Sequence, residues 1–300
     1  YMYFERAKKG IKSSTTESLR TFYEKDSYSL LNNDNVLQNL IDLAHFWEDI
    51  SNQDSEKFSQ KVLKKLFVLN YAPNGMWTYF LSVYFMKNKD ENNLLDDEKL
   101  YNFLNKITAF IFAYSITNPG VNSLRTPVYS EMIKIIEEKE ITFEDYKFDK
   151  NSLIASINNY GFWNQRPLTK SMLMWWAFTN ENQQLISLEN TYEIEHIYPR
   201  NRQENEKMLS DNKLLDFLGN KAILEKRINI RASDYRFEDK KKYYQGYTNQ
   251  RGTIKEATEN EELKQLATSH QDFTEKDILE RNTKIINAFI NYLDENNLIK

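Results

Sequence analysis

The segment "TYEIEHIYPR" (191–200) contains His196, one of only three histidines in a chain of 300 residues. An imidazole with an ordinary pKa of about 6.5 is the side chain best suited to take a proton from water at neutral pH. Glu195 stands immediately before it, an oxygen donor of the kind that Mg²⁺ and Mn²⁺ prefer. Glu193, two positions earlier, reads as an exposed strand acid, with an additional metal ligand as the alternative. A lone histidine in a strand is more often structural than catalytic, so His196 needs company before it means anything. His45 and His270 read as structural or surface groups. The chain has no cysteine, which excludes disulfides and thiolate zinc sites and fits a reducing cytoplasm. Three histidines are too few for a multi-histidine zinc centre, so any metal here would be a hard cation on oxygen ligands.

Elements must bring such groups together. "YEIEHIY" (192–198) alternates like a short strand, and Pro199 stops it. "GNKAIL" (219–224) reads as a second strand entered through a turn at Gly219, and it brings Asn220. Asn229 follows, and "SDYRFEDKKKYYQGY" (233–247) reads as a helix that a Ser/Asp pair caps. In a regular strand residues 195 and 196 face opposite ways. They converge only if the chain leaves β geometry there, which Pro199 permits.

Everything before residue 180 reads as helix. Helical spacing covers residues 1–50 with a polar break at 32–35, then 58–70, 76–86, 96–116, 130–140, 151–160 and 168–179. The last of these, "LTKSMLMWWAFT", is apolar nearly all round and belongs in a core. The amphipathic segment 274–295 closes the chain. Seven glycines and five prolines argue against a turn-rich β fold. The expected fold is mainly α, with a helical linker, regulatory or interaction domain over 1–160 and a second helical domain over 161–300. The second would carry a small strand–strand–helix core at about 190–247. The longest apolar runs, 76–86 and 107–116, fall short of the roughly 20 residues that span a bilayer. The chain opens on Tyr without a signal-like block, so it reads as an excerpt of something longer, with no membrane partner.

The ordered set "EHIYP" (195–199), "LGN" (218–220) and "RIN" (227–229) resembles the GmrSD restriction endonuclease C-terminal domain family. Two further pieces match it, the Phe/Lys-rich "FEDKKKYY" (237–244) and the spacing from Ile278 to Arg281. The family is of the HNH, ββα-metal or His-Me finger kind. The resemblance implies a cytoplasmic, metal-dependent DNA endonuclease that restricts foreign and modified DNA in phage defence. It implies His196 as general base, Glu195 and Asn229 as ligands of Mg²⁺ or Mn²⁺, and Asn220 as the brace of the loop that bears His196. Glu195 replaces a common Asp and Asn229 an occasional His; both keep an oxygen ligand and disfavour zinc or nickel. Residues 1–160 resemble the helical segment that follows an NTPase-like domain in such proteins. That domain is an implied partner outside this chain, and these residues show no nucleotide site. Self-association into a homo-oligomer stays open.

The charge distribution adds DNA as a partner. Between 220 and 251 nine basic residues face four acidic ones, in a chain whose net charge is −4. Arg200, Lys221, Arg227, Arg231, Lys240, Lys241 and Lys242 are the candidate phosphate contacts, which position a protein without reading sequence. Arg281 reads as an intramolecular anchor. Two rival readings remain. One is a non-catalytic scaffold that binds nucleic acid or protein through a degenerate nuclease fold. The other is a toxin-like nuclease acting on RNA.

Overall fold

The computed structural model describes residues 1–120 and 122–300. Among them, fourteen α-helices hold most of the chain: α1 Met2–Lys8, α2 Leu19–Glu24, α3 Asp34–Ser51, α4 Gln60–Leu69, α5 Met76–Asn88, α6 Asp97–Thr117, α7 Arg125–Ile136, α8 Lys150–Asn159, α9 Pro167–Ala177, α10 Arg200–Glu206, α11 Lys226–Ala232, α12 Phe237–Gln245, α13 Glu261–Ser269 and α14 Glu275–Glu295. The fold is mainly helical, as its composition implies. None of the described helices is long and apolar enough to cross a membrane.

The chain forms two compact units, Tyr1–Leu153 with Leu293–Lys300, and Ile154–Tyr292. The first is built on an aromatic core. Phe110 stacks on Phe143 with ring centres 3.6 Å apart, and Phe46 stacks on Phe85 at 4.1 Å. Capping sets the helix starts. Ser59, Asp96 and Asn33 accept backbone N–H bonds at the first turns of α4, α6 and α3. The stretch 1–50 is less continuous than its spacing implies. Gly10 adopts a φ of +65° and ends the first helical turn region, and the helix resumes only where Ser18 caps α2. The segment expected over 130–140 begins earlier, at Arg125. Pro127 is tolerated there because first-turn amides have no intrahelical acceptor.

The second unit holds two strands, β1 Tyr192–His196 and β2 Lys221–Glu225, paired antiparallel with His196 opposite Lys221 and Glu195 opposite Ala222. α11 starts directly after β2 and packs against both strands. Ala222 and Leu224 join Ile228 of α11, Phe237 and Tyr244 of α12, Leu263 of α13 and Ile278 of α14 in one buried core. α9 packs on β2, and Met172, Leu173, Met174 and Trp175 are buried, so this apolar segment is core. The helix expected at 233 starts at Phe237 instead. Ser233, with φ +45°, terminates α11 rather than capping the next helix, and Arg236 holds the N-cap position.

Candidate active site

Asn220 is fully buried and spans the backbone just beyond His196. Its Oδ1 accepts from the Tyr198 amide at 2.8 Å, and its Nδ2 donates to the Tyr198 carbonyl at 3.1 Å and the Leu215 carbonyl at 3.3 Å. The Ile197 amide donates to the Asn220 carbonyl at 2.9 Å. The turn bearing Asn220 is itself strapped. Arg281 donates to the carbonyls of Leu218, Gly219 and Lys221 at 2.8, 3.1 and 2.7 Å. Its other nitrogens pair with both oxygens of Glu262 at 2.7 Å each. Arg281 is thus the intramolecular anchor that its sequence position implied. Gly219 lies so close to α14 that an added Cβ would stand 2.0 Å from the Ile278 carbonyl oxygen.

His196 ends β1. Its Nε2 is buried and has no hydrogen-bond partner among the described residues. Burial first, then the charges of Lys221 and Arg200, push the imidazole pKa down to about 3. The ring is therefore neutral at pH 7 and keeps a lone pair for a proton. Its backbone carbonyl accepts from the Lys240 Nζ at 2.8 Å.

Glu195 does not converge with His196. β1 stays paired through His196, so the two side chains leave on opposite faces, and Pro199 acts only after the strand has ended. Glu195 is buried, and its Oε1 accepts from Lys240 Nζ at 2.7 Å and from the Tyr244 hydroxyl at 2.5 Å. Burial pushes its carboxyl up from the ordinary value while Lys240 pulls it back. Asn229 lies on α11 and donates instead to Glu193 Oε2 at 2.8 Å.

The implied divalent cation does not fit this donor set. The Glu195 charge is already met by an ammonium and a hydroxyl, and the Asn229 amide turns to a different acid. Among the described residues no group of three or more His, Asp or Glu side chains could hold a metal ion.

The basic candidates divide by burial. Lys221 is fully buried, donating to the Phe162 carbonyl at 2.5 Å and Asp216 at 2.8 Å. Lys240 is 1% exposed. Neither can meet a phosphate backbone from these positions, which corrects the sequence-based expectation for both. Arg200 is exposed and pairs with Asp216 at 3.1 Å. Arg227 is exposed and pairs with Glu256 at 2.5 Å. Arg231, Lys241 and Lys242 have no acidic partner among the described residues, and Lys242 lies over the Tyr243 ring.

Sequence reasoning missed one group beside His196 and misplaced another. Asp216 joins Arg200 to Lys221 beside His196, and nothing in its local pattern marks it. Lys240 was legible in principle: Phe237, Lys240 and Tyr244 fall at i, i+3 and i+7 on one helix face, and two of the three are aromatic.

This site is a two-stranded pair closed by a helix, with a neutral histidine at the strand end and a buried asparagine bracing the turn. Residues 143–288 match the family model described as GmrSD restriction endonucleases, C-terminal domain. That segment is therefore similar to the C-terminal domain of these restriction endonucleases, and it takes in β1, the Leu218–Asn220 turn, β2, α11, α12 and Arg281. No curated protein and no solved structure matches the chain.

Proposed function

We propose that this chain is the nuclease part of a restriction protein, an HNH-type DNA endonuclease with His196 as its general base. The observation that carries the reading is the treatment of His196. The chain around it is fixed by Asn220 and by Lys240, while its Nε2 is left unpartnered. A buried polar atom without a partner costs about 1–3 kcal/mol, so such an atom marks a place where a substrate or water atom completes the bond.

In the proposed reaction, the neutral imidazole takes a proton from a water molecule. The water oxygen bonds to phosphorus, the bond from phosphorus to the departing sugar oxygen breaks, and that oxygen takes a proton from solvent to become a hydroxyl. Asn220 acts through the backbone, holding the segment after His196, so it is a positioning residue. Arg200, Arg227, Arg231, Lys241 and Lys242 hold the phosphate backbone. A divalent ion, Mg²⁺ or Mn²⁺, stays part of the proposal. Glu195 and Asn229 would have to give up their bonds to Lys240, Tyr244 and Glu193 to hold it. Restriction of foreign or modified DNA in the cytoplasm, gated by an NTPase-like domain, is the biological setting that the similarity to this family favours.

The test is cleavage of supercoiled plasmid by the purified chain in Mg²⁺, in Mn²⁺ and with chelator, beside His196→Ala. Nicked or linear product from the native protein, lost in the variant, supports the reading. Equal cleavage by both proteins would sink the assignment of His196. Retention in chelator would remove the metal requirement.

A further inference from the structure

Beside the candidate site, wholly within the unit Ile154–Tyr292, lies a cavity of about 280 Å³. Its walls include three aromatic rings, Phe162, Trp163 and Phe217, with Asn282, Lys213 and Asp216. Trp163 is 51% exposed, a large apolar surface left in water. It is nonetheless held in place. The Arg166 guanidinium lies 4.5 Å from the Trp163 ring centre and 4.3 Å from that of Tyr160. The Trp163 carbonyl accepts from the Thr169 hydroxyl at 2.9 Å and from the Arg166 amide at 3.0 Å. Gly161 lets the indole fold back, since a Cβ there would sit 3.2 Å from the ring. An indole that is both exposed and clamped is a surface prepared for a flat partner.

The polar groups narrow that partner's chemistry. Asn282 uses its Oδ1 to accept from the Gly219 amide at 3.2 Å, and its Nδ2 makes no hydrogen bond among the described residues. An amide edge, aromatic faces and a nearby lysine suit a heteroaromatic ring with acceptors on its rim and a phosphate on its tether. Asp216 links the cavity to the catalytic candidates. It forms part of the cavity wall and also pairs with Lys221 and Arg200, whose charges act on His196.

We propose that this cavity seats one unstacked nucleobase of the DNA strand being cut, with Trp163 as its stacking surface and Asn282 at its edge. The proposal rests on the nuclease reading and names how the substrate is held. Stacking on an aromatic side chain is worth enough per base that its removal weakens binding about tenfold.

The experiment uses the full chain carrying His196→Ala, titrated with a fluorescent single-stranded oligonucleotide and with an abasic strand of equal length. Adding Trp163→Ala should weaken binding of the base-bearing strand about tenfold and leave abasic binding unchanged, with Trp163→Phe restoring most of the loss. Thermal melts of each variant check that the fold is intact. Equal loss on both strands, no loss on either, or no binding of either strand before Trp163 is changed would overturn the proposal. Plasmid cleavage by the native protein separates the two readings. Cleavage with base-independent binding leaves the nuclease standing and removes the base site. Base-dependent binding without cleavage does the reverse.

Discussion

Lys240 shows how one side chain can hold a site without touching substrate. Its ammonium bonds both the Glu195 carboxylate and the His196 carbonyl from the middle of a core. Removing one partner of a buried ion pair leaves the other charge stranded, at about 3–5 kcal/mol. Lys240→Met should therefore lower the urea midpoint sharply, and adding Glu195→Gln should recover most of the loss. An unchanged midpoint in Lys240→Met would mean that the pair does not form. His196 makes a pH prediction. Its folded pKa of about 3 lies below the ordinary 6.5, so the unfolded state binds the extra proton between those values. Stability is then full above about pH 6.5 and is lost as pH falls toward 3. The difference in urea stability between native protein and His196→Gln should shrink steadily over that window. A flat difference curve would place His196 in water.

At the scale of elements, the turn Leu218–Asn220 joins the strands to α14 and has little tolerance. Leu218 is buried, Gly219 abuts the Ile278 carbonyl and Asn220 spans Tyr198. Gly219→Ala forces the backbones of turn and helix apart, because neither contact is a flexible side-chain tip. It should lower thermal stability and plasmid cleavage together. Asn220→Ala should cost about 1–3 kcal/mol and lower cleavage as well, since it leaves buried backbone groups of Tyr198 unpaired. Full activity in a destabilised Asn220→Ala would separate the brace from the chemistry. This turn was legible in the sequence because each of its three residues has one physical task that few others perform. The same holds for the strands, which alternate and end at Pro199, and for the long helices, whose apolar spacing is regular. The partner of Glu195 was not legible, because a triple lysine run hides which member faces inward. Convergence of Glu195 with His196 failed as an expectation because backbone pairing continued to the strand's last residue. Asp216 was invisible for a further reason, since the irregular turn between it and Lys221 has no periodicity that would show the two side chains meeting.

Across the whole molecule, charge decides how DNA can be approached. A net charge of −4 repels a polyanion, so the proposed DNA binding would have to come from a local surface. Nine bases between 220 and 251 overstate that surface, because burial removes Lys221 and Lys240. Glu256 and Glu206 partly neutralise Arg227 and Arg236. Lys226 has Glu193 at 3.9 Å, and Arg231, Lys241, Lys242 and Arg251 remain as the cations of this stretch with no acid beside them among the described residues. Each phosphate neutralised releases counterions, contributing about −0.9 to the slope of log affinity against log salt. Lys241→Gln with Lys242→Gln should therefore reduce the slope for a DNA duplex by about 2, while weakening all sequences alike. Lys221→Gln should leave the slope unchanged although it disturbs the fold, since its charge is spent on Asp216 and Phe162. Binding titrations between low and moderate salt read both effects at once. If the double variant keeps its slope while Lys221→Gln loses it, DNA approaches from another face and the assignment of α12 to the phosphate backbone is wrong.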